Sequence, residues 1–519
     1  MELISSNSDL TQWMAWAQQK AASFVMTGQS GPVNRGDGGK WYGPSGRFSN
    51  RSRVIRRPNR QWAQPKDYLP SYWAGYHDRT AFYIRDFVHQ AAGAEYLGYH
   101  EENYQMMRCF VEGACADTGW YAPWALNFDG SLYYMDTPNH RRFVRELTAQ
   151  YELVETICKL YFLSGDSRYL DRQMRTFTER ILGEFTQRHD GMVFSIKNGI
   201  PEGRGNIWRG SASYNESGRS LAEAGDSIAA LYQALAAFGK LLEALGERES
   251  AGGYLRRAAE LRSYFNDVWS LPPEGNGYVF GIDQKGRKYW RWERSAKGIT
   301  GAETCFFLPM KLLTEPGERN NLLLEEIDQR AADPQTAAVN IESYTYLPQV
   351  FFPYQQAERA WRWMKYIGGR LLLPHVHESQ GRNEDYPELS FTMFSHAVEG
   401  LAGFSADLPA GRIVTCPCLP EEVPGLSIRG LRLGDYSMDF ELLSHHEAAF
   451  YNHSNRPLCW KCTFAGQSAR QPAHFVVDGA ELQPQSETVN GVARSFIEVS
   501  VPPQSGKKVS ALNLSLIHI

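Results

Sequence analysis

Residues 71–98 read SYWAGYHDRTAFYIRDFVHQAAGAEYLG, an aromatic-rich lead into a run with helical periodicity. The spacing predicts a helix on which Asp78, Phe82, Arg85 and His89 share one side, at steps of four, three and four. Asp86 and Gln90 form a neighbouring polar column, and Ile84, Val88 and Ala91 an apolar one. A solvated helix with ion pairs, its Asp78 capping the start, satisfies the charges. It does not explain why Tyr72, Trp73, Tyr76 and Tyr83 crowd the same segment. A helix lining a ligand pocket does, with Arg79 or Arg85 meeting an anionic or hydroxyl-rich ligand.

The same periodicity recurs as far as residue 405, for example in FVRELTAQYELVETICKLYFL (143–163), GDSIAALYQALAAFGKLLEALG (225–246), ERAWRWMKYIGG (358–369) and SFTMFSHAVEGLAGF (390–404). So much helical hairpin exceeds a four-helix bundle, which leaves an open solenoid or a closed double ring of inner and outer helices. No short stacking repeat is visible. Long loops at 118–142, 190–220, 276–303 and 374–390, dense in Trp, Tyr and charge, favour the closed ring, whose inner-helix ends can surround a central pocket. Residues 10–26 read as one helix, and 28–61 as a Gly- and Arg-rich loop whose Trp41, Tyr42 and Phe48 argue against a free tail. After Ala406 short alternating runs such as LSIRGLRLG and SMDFELLSHH, separated by Pro, Gly and Asn, predict antiparallel β structure. The last residues, LNLSLIHI, look poorly integrated and are given no function.

At 519 residues, 43% hydrophobic and 22% charged, the chain can build one large domain and one smaller one. A net charge of −4 offers no general attraction to nucleic acid or an anionic membrane. With no transmembrane-length span and no basic-then-apolar leader, a cytoplasmic or periplasmic location is expected. Eight cysteines are too few for a disulfide scaffold. Cys416, Cys418, Cys459 and Cys462 make a numerical four-thiolate set, but the single-residue spacing of the first pair and the strand-like text disfavour zinc. His375-x-His377-Glu378 is a weak metal candidate, and no cofactor is expected. Phosphate-cradling and Gly-x-Ser-x-Gly patterns are absent.

A second cluster, residues 203–216 (GRGNIWRGSASYNE), offers Arg204, Trp208, Arg209, Tyr214 and Glu216, a combination suited to stacking a sugar and holding its hydroxyls or carboxylate. A Glu beside aromatics keeps its proton more readily, although Glu216 can equally serve as a local cap. Glu303, Glu342 and Glu388 follow, with Glu378, Glu384 and Asp385 nearby; Glu388 precedes a helix and could face the ring's centre. Acid/base glycoside cleavage needs two such carboxyls, one protonating the leaving oxygen and one activating water or attacking carbon.

The Tyr76-to-Gln90 motif, the Tyr214-Asn-Glu216 and Gly301-Ala-Glu303 segments, and the run from Tyr386 to Gly400 resemble the six-hairpin glycosidases over about residues 60 to 405. Within them the chain looks most like glycoside hydrolase family 154, whose activity is exo-acting β-glucuronidase. The resemblance implies a mainly α fold: an (α/α)6 barrel at 61–405, a packed N-terminal segment at 1–60 and a β-sandwich-like domain at 406–519. It also implies a glycan substrate with a terminal uronic acid. Arg79, Arg85, His89, Arg204 and Arg209 then become carboxylate or hydroxyl contacts, with Tyr76, Trp208, Tyr214, Glu303, Tyr344 and His377 beside them. Glu216 and Glu388 are the implied catalytic pair, with Asp78, Asp86 and Glu342 as rivals. Unsaturated glucuronyl hydrolases, which would use Asp78 and Asp86, and α-L-rhamnosidase-like enzymes are neighbouring alternatives. So are a lyase based on His89 or Tyr214, and a non-catalytic glycan binder. Dimerisation through the β domain or residues 27–61 is compatible with the sequence.

Overall fold

The computed structural model describes residues 1–34, 65–115, 118–138, 142–183, 196–197, 199–215, 218–295, 298–466 and 474–512. Glu216, most of the 28–61 loop with its three aromatics, and 513–519 of the C-terminal stretch lie outside them.

Thirteen helices among the described residues carry the larger part of the chain: α1 (Ser8–Ser23), α2 (Ile84–Leu97), α3 (His100–Gly113), α4 (Leu147–Ser164), α5 (Arg172–Leu182), α6 (Gly225–Ala244), α7 (Arg248–Tyr264), α8 (Ala302–Met310), α9 (Glu318–Ala332), α10 (Glu342–Thr345), α11 (Leu347–Phe351), α12 (Ala357–Gly368) and α13 (Pro387–Ser395). Their packing forms a closed cycle. α2 packs on α4, α4 on α6, α6 on α8, α8 on α11, the consecutive α10–α11 on α13 and its π-helical continuation His396–Leu401, and α13 returns to α2. A second helix backs each member: α3, α5, α7, α9 and α12 in turn, with α1 closing the set against α13. The sequence explains who is inside. α4 is buried over most of its surface, whereas α5 and α12 confine their apolar residues to one face.

The contact between α2 and α13 is unusually close. A Cβ on Gly93 would stand 2.0 Å from the Phe391 carbonyl oxygen, so only glycine lets these two backbones meet. Gly93→Ala would ordinarily stabilise a helix interior; here it is expected to lose about 1–3 kcal/mol by overpacking, seen as a lower midpoint in thermal or urea unfolding. A midpoint that stays level or rises would contradict the close approach.

Among the described residues the strands build two large sheets, besides smaller two- and three-stranded ladders that include β2–β3. Label them β1 (Glu2–Ser5), β2 (Ala81–Tyr83), β3 (Ala125–Asn127), β4 (Ser405–Asp407), β5 (Arg412–Thr415), β6 (Leu426–Leu433), β7 (Tyr436–Ser444), β8 (Glu447–Asn452), β9 (Leu458–Ala465), β10 (His474–Val477), β11 (Ala480–Leu482), β12 (Gln485–Val489), β13 (Val492–Val501) and β14 (Ser505–Leu512). One sheet runs β1-β6-β7-β8-β14-β10-β11 and the other β4-β5-β9-β13-β12. Two details differ from the sequence reading. The pair β5–β9 is parallel, and the N-terminal β1 pairs with β6 of the C-terminal unit while α1 packs on the helical cycle. No helix among the described residues is long and apolar enough to cross a membrane.

The motif at 71–98 is also corrected. Tyr76–Thr80 form a turn, Ala81–Tyr83 are a strand paired with Ala125–Asn127, and the helix begins only at Ile84. Asp78 and Phe82 therefore share no helix face with Arg85 and His89. Phe82 is wholly buried against Phe110 and Phe128, and that burial with the β2–β3 ladder overrides the helical spacing.

Candidate active site

Six inner elements begin at the same end of the cycle, and each begins with an acid. Asp86, Asp226, Glu303, Glu342 and Glu388 occupy the first turns of α2, α6, α8, α10 and α13, and Glu146 is the N-cap residue of α4. Acids there complement the helix dipoles, so the sequence pattern has a local cause; ring closure then gathers them around one centre.

Asp86, Glu303, Glu342 and Glu388 line a cleft of about 500 Å³ together with Tyr76, Arg79, Arg85, Trp208, Tyr214 and His377. The sequence reading had not singled out Trp124, Asp136, Tyr346 or Tyr386, which complete its wall. The β2–β3 pairing sets Trp124 edge-on to Tyr83, and the buried Arg145 donates to the Trp208 carbonyl at 3.0 Å, fixing the loop that presents that indole. Tyr346 forms part of the floor.

The carboxyls sit in different environments. Glu388 is 3% exposed; His89 Nδ1 lies 2.7 Å from its Oε1, the Thr345 hydroxyl 2.6 Å from the same oxygen, and Tyr386 donates to Oε2 at 3.3 Å. Glu342 accepts from the Tyr76 hydroxyl at 2.6 Å, while its Oε2 is buried with no side-chain partner among the described residues. Burial outweighs that bond and pushes the Glu342 carboxyl from its ordinary 4.5 up to about 7. Asp86 is raised to about 6, first by burial and then by the neighbouring Glu388 charge, although the Tyr386 hydroxyl also donates to it. Burial likewise raises Asp226, beneath the cleft wall, to about 7; Tyr214 N donates to it at 2.7 Å. Glu303 faces the cleft with the Ser343 hydroxyl donating to it.

The basic residues are less available than the sequence suggests. Arg204 and Arg209 are exposed and are not among the residues lining the cleft. Arg79 lies against the rings of Tyr76 and Tyr83 and donates to the Tyr83 hydroxyl, which in turn donates to Asp136. Arg85 is sandwiched between Trp124 and Tyr214, donates to the Tyr214 carbonyl at 3.0 Å and lies 3.5 Å from Glu146.

Several other candidates fall elsewhere. Asp78 is absent from the cleft lining. Tyr344 packs on Trp363 and Tyr366 and donates to the Ala338 carbonyl, so its role is structural. The Tyr214 hydroxyl is turned away to Glu152. His89 stands behind Glu388 rather than in the cleft wall. Asp385 pairs with Lys20, and Glu384 accepts from the Trp16 indole, both fastening α1. No group of three or more His, Cys, Asp and Glu among the described residues could hold a metal ion; Cys416, Cys418 and Cys462 are buried thiols.

No family model matches the chain, and no curated protein matches it in sequence. Among solved structures it is similar to the GH78 family rhamnosidase of Bacillus sp. GL1, at TM-score 0.58 and 10% identity over 85% of this chain and 40% of that one. The α-L-rhamnosidase from Dictyoglumus thermophilum matches at TM-score 0.55 and 12% identity, over 98% of this chain and 50% of that one. A sialidase matches at TM-score 0.54 and 12% identity, over 85% of this chain and 38% of that one. The likeness is one of fold. The chain spans half or less of the length of these three.

Proposed function

We propose that the chain is a glycoside hydrolase that removes a terminal sugar, with Glu342 as proton donor and Glu388 as general base. The observation that carries this is two carboxyls in one cleft held in opposed environments. Glu342 is dehydrated and keeps its proton near neutrality, whereas Glu388 is oriented by three polar partners. Glu342 gives its proton to the glycosidic oxygen as the bond to the anomeric carbon breaks. Glu388 takes a proton from the water that adds to that carbon. Tyr346 closes the cleft behind the acids, which suits a chain end, and Trp208 and Trp124 supply faces on which a sugar ring stacks.

A neutral sugar fits the charge inventory better than a uronic acid. The cleft presents Asp86, Asp136, Glu303, Glu342 and Glu388 against Arg79 and Arg85, and both arginines are already engaged. The resemblance to family 154 supports the second reading, a β-glucuronide, for which Arg79 is the handle. An unsaturated glucuronyl hydrolase would enlist Asp78 with Asp86, and of these only Asp86 lines the cleft; a lyase would need Tyr214 or His89 as base, and both are engaged by glutamates.

The test is nitrophenolate release from p-nitrophenyl α-L-rhamnoside, β-glucoside and β-glucuronide. The rhamnoside heads the panel because two solved structures of this fold are rhamnosidases. Turnover of a neutral glycoside is the expected result; release from the glucuronide alone would overturn the neutral-sugar assignment and restore Arg79 as a carboxylate contact.

A further inference from the structure

Behind the cleft floor the helical cycle holds a second cavity of about 340 Å³, reaching to Cys416 and Arg494 of the β domain. Tyr346 lines both cavities, and His89 lines the rear one and reaches through to Glu388 of the front. Its ring lies flat on Tyr346, 4.1 Å between centroids and 3° between planes. One ring nitrogen, Nδ1, meets Glu388 Oε1 at 2.7 Å; the other, Nε2, is buried with no hydrogen-bond partner among the described residues. A histidine whose one hydrogen-bonded edge among the described residues meets Glu388, and whose ring lies stacked on Tyr346, is built to hold whatever that edge touches.

We infer that His89 is the positioning residue of Glu388, donating from Nδ1 to fix the carboxylate towards the anomeric centre; this rests on the hydrolase reading above. The charged and titratable neighbours support a dedicated pair. On its own helix stand Arg85 and Asp86, and from α13 and its π-helical continuation come Glu388 and His396. His396 is buried, held neutral with its pKa lowered to about 3, and neither ring nitrogen has a partner among the described residues. From α10–α11 Thr345 and Tyr346 face the pair. Across the rear cavity α4 contributes Glu152 and Glu155, both paired with Lys311, which closes α8; Lys159 pairs with Glu399. These ions satisfy one another, leaving His89 to Glu388.

Leucine and asparagine have nearly the same shape, and only asparagine offers a donor near the Nδ1 position. His89→Leu is expected to lower kcat by about 30- to 100-fold with KM within threefold. His89→Asn is expected to recover kcat to within about fivefold, with KM unchanged. A folded His89→Leu with native kcat would overturn the proposal. So would His89→Asn and His89→Leu losing activity equally through KM. Should leucine abolish folding, the asparagine variant still decides, since a low kcat in a protein with native unfolding midpoint contradicts the role. Glu388→Gln on the same substrate separates the two claims: full activity there removes Glu388 as the general base and the positioning role with it, while leaving the hydrolase activity itself standing. An inactive Glu388→Gln beside an unaffected His89→Leu removes only the positioning role.

Discussion

Glu388→Gln is expected to lower kcat by about 10²- to 10⁴-fold on the best glycoside, the range over which a positioned acid or base acts. The substitution keeps the shape of the side chain and leaves the Thr345 hydroxyl a carbonyl-type acceptor in place of the carboxylate oxygen it now meets at 2.6 Å. What it removes is the capacity to accept a proton from the attacking water. The stacking faces of Trp208 and Trp124 stay in place, so KM should move by a few-fold at most. Steady-state kinetics on purified variant and parent decide it. A variant within tenfold of the parent would show that Glu388 is not the base, and Asp86, which shares Tyr386 with it, would be the next to test.

Glu342 should govern the alkaline side of the pH profile. Its carboxyl is raised to about 7, so the protonated form needed for donation is lost as the pH rises through that value, and kcat/KM is expected to fall with it. Glu342→Gln should abolish this alkaline limb and lower kcat by about 10²- to 10⁴-fold on a natural glycan. The loss should be far smaller on nitrophenyl glycosides, whose leaving group needs no proton. Equal losses on both substrate types would deny Glu342 the donor role. The same shift has a stability consequence with a definite sign. Between 4.5 and about 7 the folded chain retains a proton on Glu342 that the unfolded chain releases, so folding stability falls with rising pH across that window. Asp86, raised to about 6, adds to the same slope.

Parts of this site are visible in residue order. Asp86, Glu303, Glu342 and Glu388 stand just where an apolar helical run begins, and an acid in a first turn is a local electrostatic preference. Glu146 and Asp226 follow the same rule, and reading every helix start for its acid would have found them. The arginines mislead for a related reason. Charge and aromatic neighbours are legible in sequence, but exposure is not, and Arg204 and Arg209 turn outward while Arg79 and Arg85 are consumed by local partners. Residues 76–83 mislead differently. Their spacing suits a helix, yet pairing with residues 125–127 and the burial of Phe82 outweigh a helical preference worth only tenths of a kcal/mol per residue.

The sequence by itself determined a chain of helical hairpins followed by strands, because periodicity and turn residues act over a few positions, and it set an acid at the start of each inner helix. Only the tertiary structure decided that the helices close into a cycle, that β1 crosses to the C-terminal sheet, and which acids share a cleft. The contacts that tell Glu388 from its rivals join residues about 300 apart: His89 to Glu388 and Tyr386 to Asp86. Differences in burial and hydrogen bonding, which make one carboxyl an acid and another a base, are properties of that closure and have no local signature.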